Sequence, residues 1–147
     1  MDFVSLDLGE YWSIAFWKYG ECTHVESHDG SEHEYAWQNT KSINDLIEEL
    51  IHKYRMEVVV EKAHHRVPTQ WTQYQDVKRL CKKYKIKLVE YKTTHIKKVV
   101  TGNGRADKDM IARTVTESGL ANDVLPKNEH EHDAIACGIC YLANSKC

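Results

Sequence analysis

Along the 147-residue chain, apolar positions come first in short dense runs and later in spaced stripes. Residues 2–8, 11–18 and 22–28 are rich in Val, Ile, Phe, Trp and Thr and are separated by Gly9-Glu10 and Tyr19-Gly20-Glu21, which predicts three successive strands. Residues 29–40 are polar and read as loop. From Ser42 the spacing becomes helical, with Ile43, Leu46, Ile47, Leu50, Ile51 and Tyr54 on one face. Residues 57–61 predict a short apolar strand of the buried, parallel kind. A His- and Pro-containing loop, 62–70, leads into a helix from Thr69 or Gln70 to Tyr84. Ile86 to Tyr91 reads as another strand, and Thr93 or Thr94 as the cap of a short helix through Val100. Gly102-Asn103-Gly104 breaks the chain. A helix then runs from Ala106 or Asp107 to about Ser118, and a last one from about Glu129 to Ala143. The order β-β-β-α-β-α-β-α-α-α predicts an α/β fold, a mixed sheet with helices on both faces.

The length suits one domain, 1–147, with a single buried core. No apolar stretch approaches membrane-spanning length and the N-terminus lacks a basic start and a small-residue cleavage site, so no membrane partner is expected. Five Cys is an odd count without a disulfide pattern, which reads as reduced thiols and a cytoplasmic protein. The net charge of −2 conceals an asymmetry: residues 1–57 carry 4 basic and 12 acidic side chains, whereas residues 78–108 carry 11 basic and 2 acidic. The second block suits a polyanion such as DNA or RNA; a Lys-rich solvated helix face is the plainer alternative.

Four side chains stand where a folded chain least tolerates idle ones. Asp7 ends the run Phe3-Val4-Ser5-Leu6, Glu61 ends Val58-Val59-Val60, and His130 and Asp133 sit three apart at the head of an apolar helical stretch. An unpaired carboxylate at the end of a buried strand costs roughly several kcal/mol of desolvation. Two on adjacent strands repel each other as well. A divalent cation between them makes the arrangement tolerable. In a mixed sheet of this order the first strand can lie centrally beside the 58–61 strand, and residues three apart share a helix face. Such a constellation matches the needs of a two-metal phosphodiesterase.

These segments resemble the RuvC family of Holliday-junction resolvases, in the ribonuclease H-like superfamily. The resemblance covers essentially the whole chain. It rests on Leu6-Asp7-Leu8-Gly9, on Val59-Val60-Glu61-Lys62, on the run from Lys97 to Lys108 through Gly102-Asn103-Gly104-Arg105-Ala106-Asp107, and on His130-Glu131-His132-Asp133-Ala134-Ile135-Ala136. It implies a ribonuclease H-like, mixed five-stranded sheet flanked by helices. It also implies a homodimer that binds four-way and related branched DNA and makes paired nicks leaving 5′-phosphates, with two Mg2+ per active site for which Mn2+ substitutes. By position, Asp7, Glu61 and Asp133 would be metal ligands. His130 stands where the family has Asp or His, and could ligate metal or position the water. Lys97 and Lys108 match basic residues near the scissile phosphate; with Lys62, Lys98 and Arg105 they would grip DNA. The helix at about 69–84 would form much of a two-fold interface. The chain is shorter than typical bacterial members, and Ala63-His64-His65-Arg66-Val67-Pro68 departs from their pattern. Size and divergence fit a phage or viral genome, with the protein then inside a host cell.

Plainer readings stand beside these. Asp7 alone suits a turn before Gly9, Glu61 an ion pair with Lys62 or Arg66, and any one of the lysines an ordinary surface charge. A ribonuclease H-like nuclease acting on flaps or RNA–DNA hybrids, and a non-catalytic junction-binding protein, are the alternative functions. His130, His132, Cys137 and Cys140 form a plausible zinc set, but reduced Cys on an apolar helical segment usually packs as a small hydrophobe. His64-His65 reads as an exposed loop pair. Asp107 stands where a dinucleotide fingerprint needs its third Gly, and no P-loop is present, so no nucleotide cofactor is expected.

Overall fold

The computed structural model describes residues 2–64 and 66–145. Five strands form one sheet in the order β3-β2-β1-β4-β5: β1 (Phe3–Asp7), β2 (Tyr11–Lys18), β3 (Glu21–Asp29), β4 (Glu57–Glu61) and β5 (Leu88–Tyr91). The β1–β2 and β2–β3 pairs are antiparallel, and the β1–β4 and β4–β5 pairs parallel. The first strand is therefore central. Side chains alternate along it: Val4 and Leu6 join Val58 and Val60 under helices α1 (Ala36–Tyr54) and α2 (Pro68–Tyr84). Phe3, with Val59, faces the opposite core, beneath α3 (Thr93–Thr101), α4 (Lys108–Glu117) and α5 (Glu129–Ser145). The period of two assigns Ser5, Asp7 and Glu61 to that second face.

The sheet is buried on both sides, which explains why β1 and β4 read as continuous apolar runs. Both α1 and α2 end in a left-handed residue, Arg55 and Lys85, with cations in the last turn opposing the helix dipole.

Three expectations need correction. The 29–40 segment is not all loop: a 3-10 turn, Gly30–Glu32, precedes α1, which starts at Ala36 rather than Ser42. Its first turn is fastened by polar groups. The Tyr35 N–H donates to Gln38 Oε1 (2.9 Å), and Asn39 is buried, accepting from Trp12 Nε1 at 3.0 Å. The last strand begins at Leu88, not Ile86, because Ile86 is held in the exit turn of α2, its N–H donating to the Cys81 carbonyl at 2.9 Å. The N-cap of α3 is Lys92, with no side-chain cap, instead of a threonine. The exposed His64 lies in the loop as expected; its neighbour His65 lies outside the described residues. Tyr74 is a core residue and Trp71 packs partly buried against it. Among the described residues no helix is long and apolar enough to cross a membrane, and four cysteines are free buried thiols.

Candidate active site

Strand register brings the first two carboxylates together. Leu6 pairs with Val60 in the parallel β1–β4 ladder, so the next residues, Asp7 and Glu61, end neighbouring strands at one level. Helix α5 crosses this edge, and polar groups from three strands fix its position. Ser5 Oγ donates to the Ala134 carbonyl (2.6 Å) and itself accepts from Trp17 Nε1 (2.9 Å). Ser13 Oγ donates to the His130 carbonyl at 2.5 Å. Ser27 Oγ donates to the buried Glu131 carboxylate at 2.5 Å, and the Lys127 N–H reaches the same carboxylate at 3.1 Å. Gly138 allows close approach: a Cβ there would lie 2.3 Å from the Trp17 indole.

Thus held, α5 presents His130 and Asp133 to the strand ends. His130 Nδ1 lies 3.4 Å from Asp7 Oδ2, and its Nε2 lies 3.9 Å from Glu129 Oε1. The Thr93 hydroxyl donates to Glu61 Oε1. Asp7 is only 7% exposed. Burial raises its carboxyl above the usual range, against the opposing pull of His130. Burial, reinforced by Asp7 and Asp133, pushes Glu61 up to about 7 although the Thr93 hydroxyl pulls it down. Burial and Asp7 push Asp133 to about 6, against Lys108 and His130. His130 is raised by its contact with Asp7. Three desolvated acids thus share one edge, and each resists ionising beside the others. Lys108 does not resolve this: its Nζ sits 2.5 Å from Glu129 Oε1 on the surface.

A cleft of about 330 Å³ opens beside the acids, lined by Glu61, Thr93, Lys97, Lys108 and Asp133 over an apolar floor that includes Ile96 and Ile111. The turn between α3 and α4 brings its two lysines together. Gly102 takes a left-handed conformation (φ +83°) and caps α3, and Asp107 caps α4 by accepting from the Met110 N–H at 2.9 Å. Of the residues expected from sequence, Asp7, Glu61, His130, Asp133, Lys97 and Lys108 therefore gather at one place. Lys98 and Arg105 are exposed outside the cleft wall, and Lys62 lines an adjoining groove with Trp71 and Lys92.

Among the described residues no group of three His, Cys, Asp or Glu side chains already stands in coordinating geometry. In kind, the donor set fits a hard divalent cation: carboxylate oxygens with one imidazole, all short of a buried countercharge. The zinc set fares worse. Cys137 and Cys140 belong to the core, and burial holds the Cys137 thiol well above its ordinary range, the opposite of a thiolate ligand. Sequence reasoning missed Thr93, Glu129 and the serines that hold α5. Only their place beside the acids in three dimensions marks them; alternation along β1 and β2 could have put Ser5 and Ser13 on the Asp7 face.

The family model for "Crossover junction endodeoxyribonuclease RuvC" matches residues 32–141. The RuvC of Anaplasma phagocytophilum (strain HZ) is 44% identical over 66 residues, which is 44% of this chain and 40% of that protein. The RuvC of Anaplasma marginale (strain St. Maries) is 42% identical over 62 residues, 42% of this chain and 37% of that one. The matched stretch thus spans about two fifths of these curated relatives. Among solved structures, Thermus thermophilus RuvC aligns with a TM-score of 0.77 at 20% identity, over 99% of this chain and 96% of that one. The same protein in complex with a Holliday junction substrate aligns at 0.81 and 19%, over 99% and 95%. At that identity the structural likeness speaks for the ribonuclease H-like fold, whereas the family model covers most of the chain, so this chain belongs to the RuvC family.

Proposed function

We propose that this chain is a metal-dependent, structure-selective DNA endonuclease that resolves four-way and related branched junctions by paired nicks leaving 5′-phosphates. The observation that carries the reading is the convergence of Asp7, Glu61 and Asp133, all raised by burial, beside a lysine-walled cleft. Family membership supports it, as does the likeness to a RuvC bound to a Holliday junction.

In this reading Asp7, Glu61 and Asp133 hold two Mg2+, or Mn2+ in their place, with His130 as a further ligand or as the group that orients the attacking water. The bound cations would lower the pKa of that water and stabilise the leaving 3′ oxygen. Thr93 orients the Glu61 carboxylate by hydrogen bonding. Lys97 and Lys108 meet the scissile phosphate from the cleft wall, and Lys62, Lys98 and Arg105 grip flanking phosphates. The apolar floor limits water around these charges and so strengthens their interactions. Residues 1–147 act as one nuclease domain, and two copies pair so that both like-polarity strands of a junction are cut. A bacterial cytoplasm, or a host cell for a phage-encoded chain, is where such a substrate arises.

The test offers labelled four-way junction, fork, linear duplex and RNA–DNA hybrid, each with Mg2+ and with EDTA, and runs Asp7→Asn alongside. Metal- and Asp7-dependent nicking confined to branched DNA is the expected result. Equal cutting of flaps or hybrids would replace it with a broader ribonuclease H-like nuclease. Junction binding without cleavage under any divalent metal would leave a binding module.

A further inference from the structure

His130 is held at both of its ends by one strand. The β1–β2 register pairs Asp7 with Ser13, so Tyr11, two residues earlier on β2, lies on the same face and just past the end of β1. From there the Ser13 hydroxyl holds the His130 carbonyl (2.5 Å), and the Tyr11 ring stacks on the imidazole, with centroids 5.6 Å apart and planes within 8°. Asp7 meets one edge of the same imidazole at 3.4 Å, and Glu129 approaches the other at 3.9 Å. Backbone, face and both edges of the ring are therefore all engaged.

An imidazole on the first turn of a helix swings freely about its side-chain torsions unless packing restricts it. At 3.4 Å the contact with Asp7 is too long to fix the ring plane by itself. The stacked phenol supplies what is missing, because an offset aromatic pair confines the plane of its partner. Tyr11 is 45% exposed, so the core does not account for its placement.

We propose that Tyr11 is a positioning residue for the nuclease: it locks the His130 ring in the plane that keeps Nδ1 on Asp7, with Ser13 anchoring the backbone beneath. This rests on the nuclease reading above. It makes the start of β2 part of the site although Tyr11 contributes no charge and no metal ligand.

The test compares Tyr11→Leu, Tyr11→Phe and His130→Ala singly, and Tyr11→Leu combined with His130→Ala, on labelled four-way junction. Substitution at an exposed ring leaves the fold intact, which the melting temperature checks. A positioning role predicts that Tyr11→Leu lowers kcat by about 10-fold while KM, and the Kd for junction measured in EDTA, stay the same. Tyr11→Phe recovers the lost rate, and Tyr11→Leu costs nothing more once His130 is Ala. A weaker Kd for junction, with a loss that persists in the His130→Ala background, would make Tyr11 a DNA contact and overturn the proposal; no change in any constant would overturn it too. Should the wild-type protein cut no DNA, the nuclease reading fails, and the imidazole resonances of His130 still decide the positioning claim. Ring-current shielding from Tyr11 predicts that those resonances move downfield in Tyr11→Leu and stay in Tyr11→Phe. Identical His130 resonances in all three proteins would sink it.

Discussion

Asp7, Glu61 and Asp133 are costly residues, and their cost has a pH signature. Burial lifts Glu61 from 4.5 to about 7 and Asp133 from 3.8 to about 6. The metal-free fold therefore keeps protons that the unfolded chain has already released. Stability is fully present below the unfolded values and is lost as pH rises through the folded ones. His130, raised by Asp7, acts in the same direction. In EDTA the melting temperature should fall between pH 5 and pH 7.5. Mg2+ should restore it more at pH 7.5, where the acids are ready to ionise around a cation, than at pH 5. A metal-free melting temperature that rises across this window would contradict the burial of these acids. For activity, Asp7→Asn, Glu61→Gln and Asp133→Asn should each lower cleavage by about 100-fold or more, since metal-bound charge stabilisation is worth several kcal/mol. Junction binding in EDTA should persist in all three, as gel-shift titration would show. The acids themselves were legible in sequence, because a charged residue ending an apolar strand has few reasons to be there. The role of Thr93 was not. A threonine before an apolar run reads as a helix cap, and only the parallel β4–β5 register, with Glu61 opposite Tyr91, reveals that it lies beside Glu61.

At the scale of elements, the site depends on how tightly α5 sits on the sheet. Gly138 meets the Trp17 indole where a Cβ would lie at 2.3 Å, and Trp17 is fully buried. Gly138→Val should therefore push α5 outward. Overpacking of this kind costs roughly 1–3 kcal/mol, measurable by urea denaturation. Cleavage should fall further than stability alone explains, because Asp133 and His130 move with the helix. Ser5→Ala leaves the Ala134 carbonyl and the Trp17 indole N–H without their buried partner and should cost about 1–3 kcal/mol. The main elements were readable from periodicity because nearly every one has an apolar face, α1 through Ile43, Ile47, Leu50 and Ile51 being the plainest. The first turn of α1 was not readable. Its two apolar residues, Ala36 and Trp37, are exposed, and the turn is ordered by tertiary hydrogen bonds from Asn39 to the β1–β2 loop, which local pattern does not record.

For the whole molecule, the basic block of the sequence divides in the fold. Lys97 and Lys108 wall the cleft, whereas Lys82, Lys83 and Lys85 lie at the C-terminal end of α2, where they offset the helix dipole. Charge counting along the chain could not separate these two groups. The division predicts that the first group contributes to the salt dependence of junction binding and the second does not. Lys97→Ala should reduce the slope of log K against log salt by about 0.9, and Lys83→Ala should leave it unchanged. Equal effects at both positions would mean that DNA reaches the far end of α2.

The central claim is that buried acids on two strands and one helix form a metal-dependent centre that cuts junctions. The most direct measurement is strand-resolved nicking of an immobile four-way junction as Mg2+ is titrated, with wild-type protein and with Asp7→Asn. The account predicts symmetric nicks on two strands of like polarity, absent without metal and reduced by about 100-fold or more in Asp7→Asn. Nicking that is indifferent to Mg2+ or to Asp7 would contradict it.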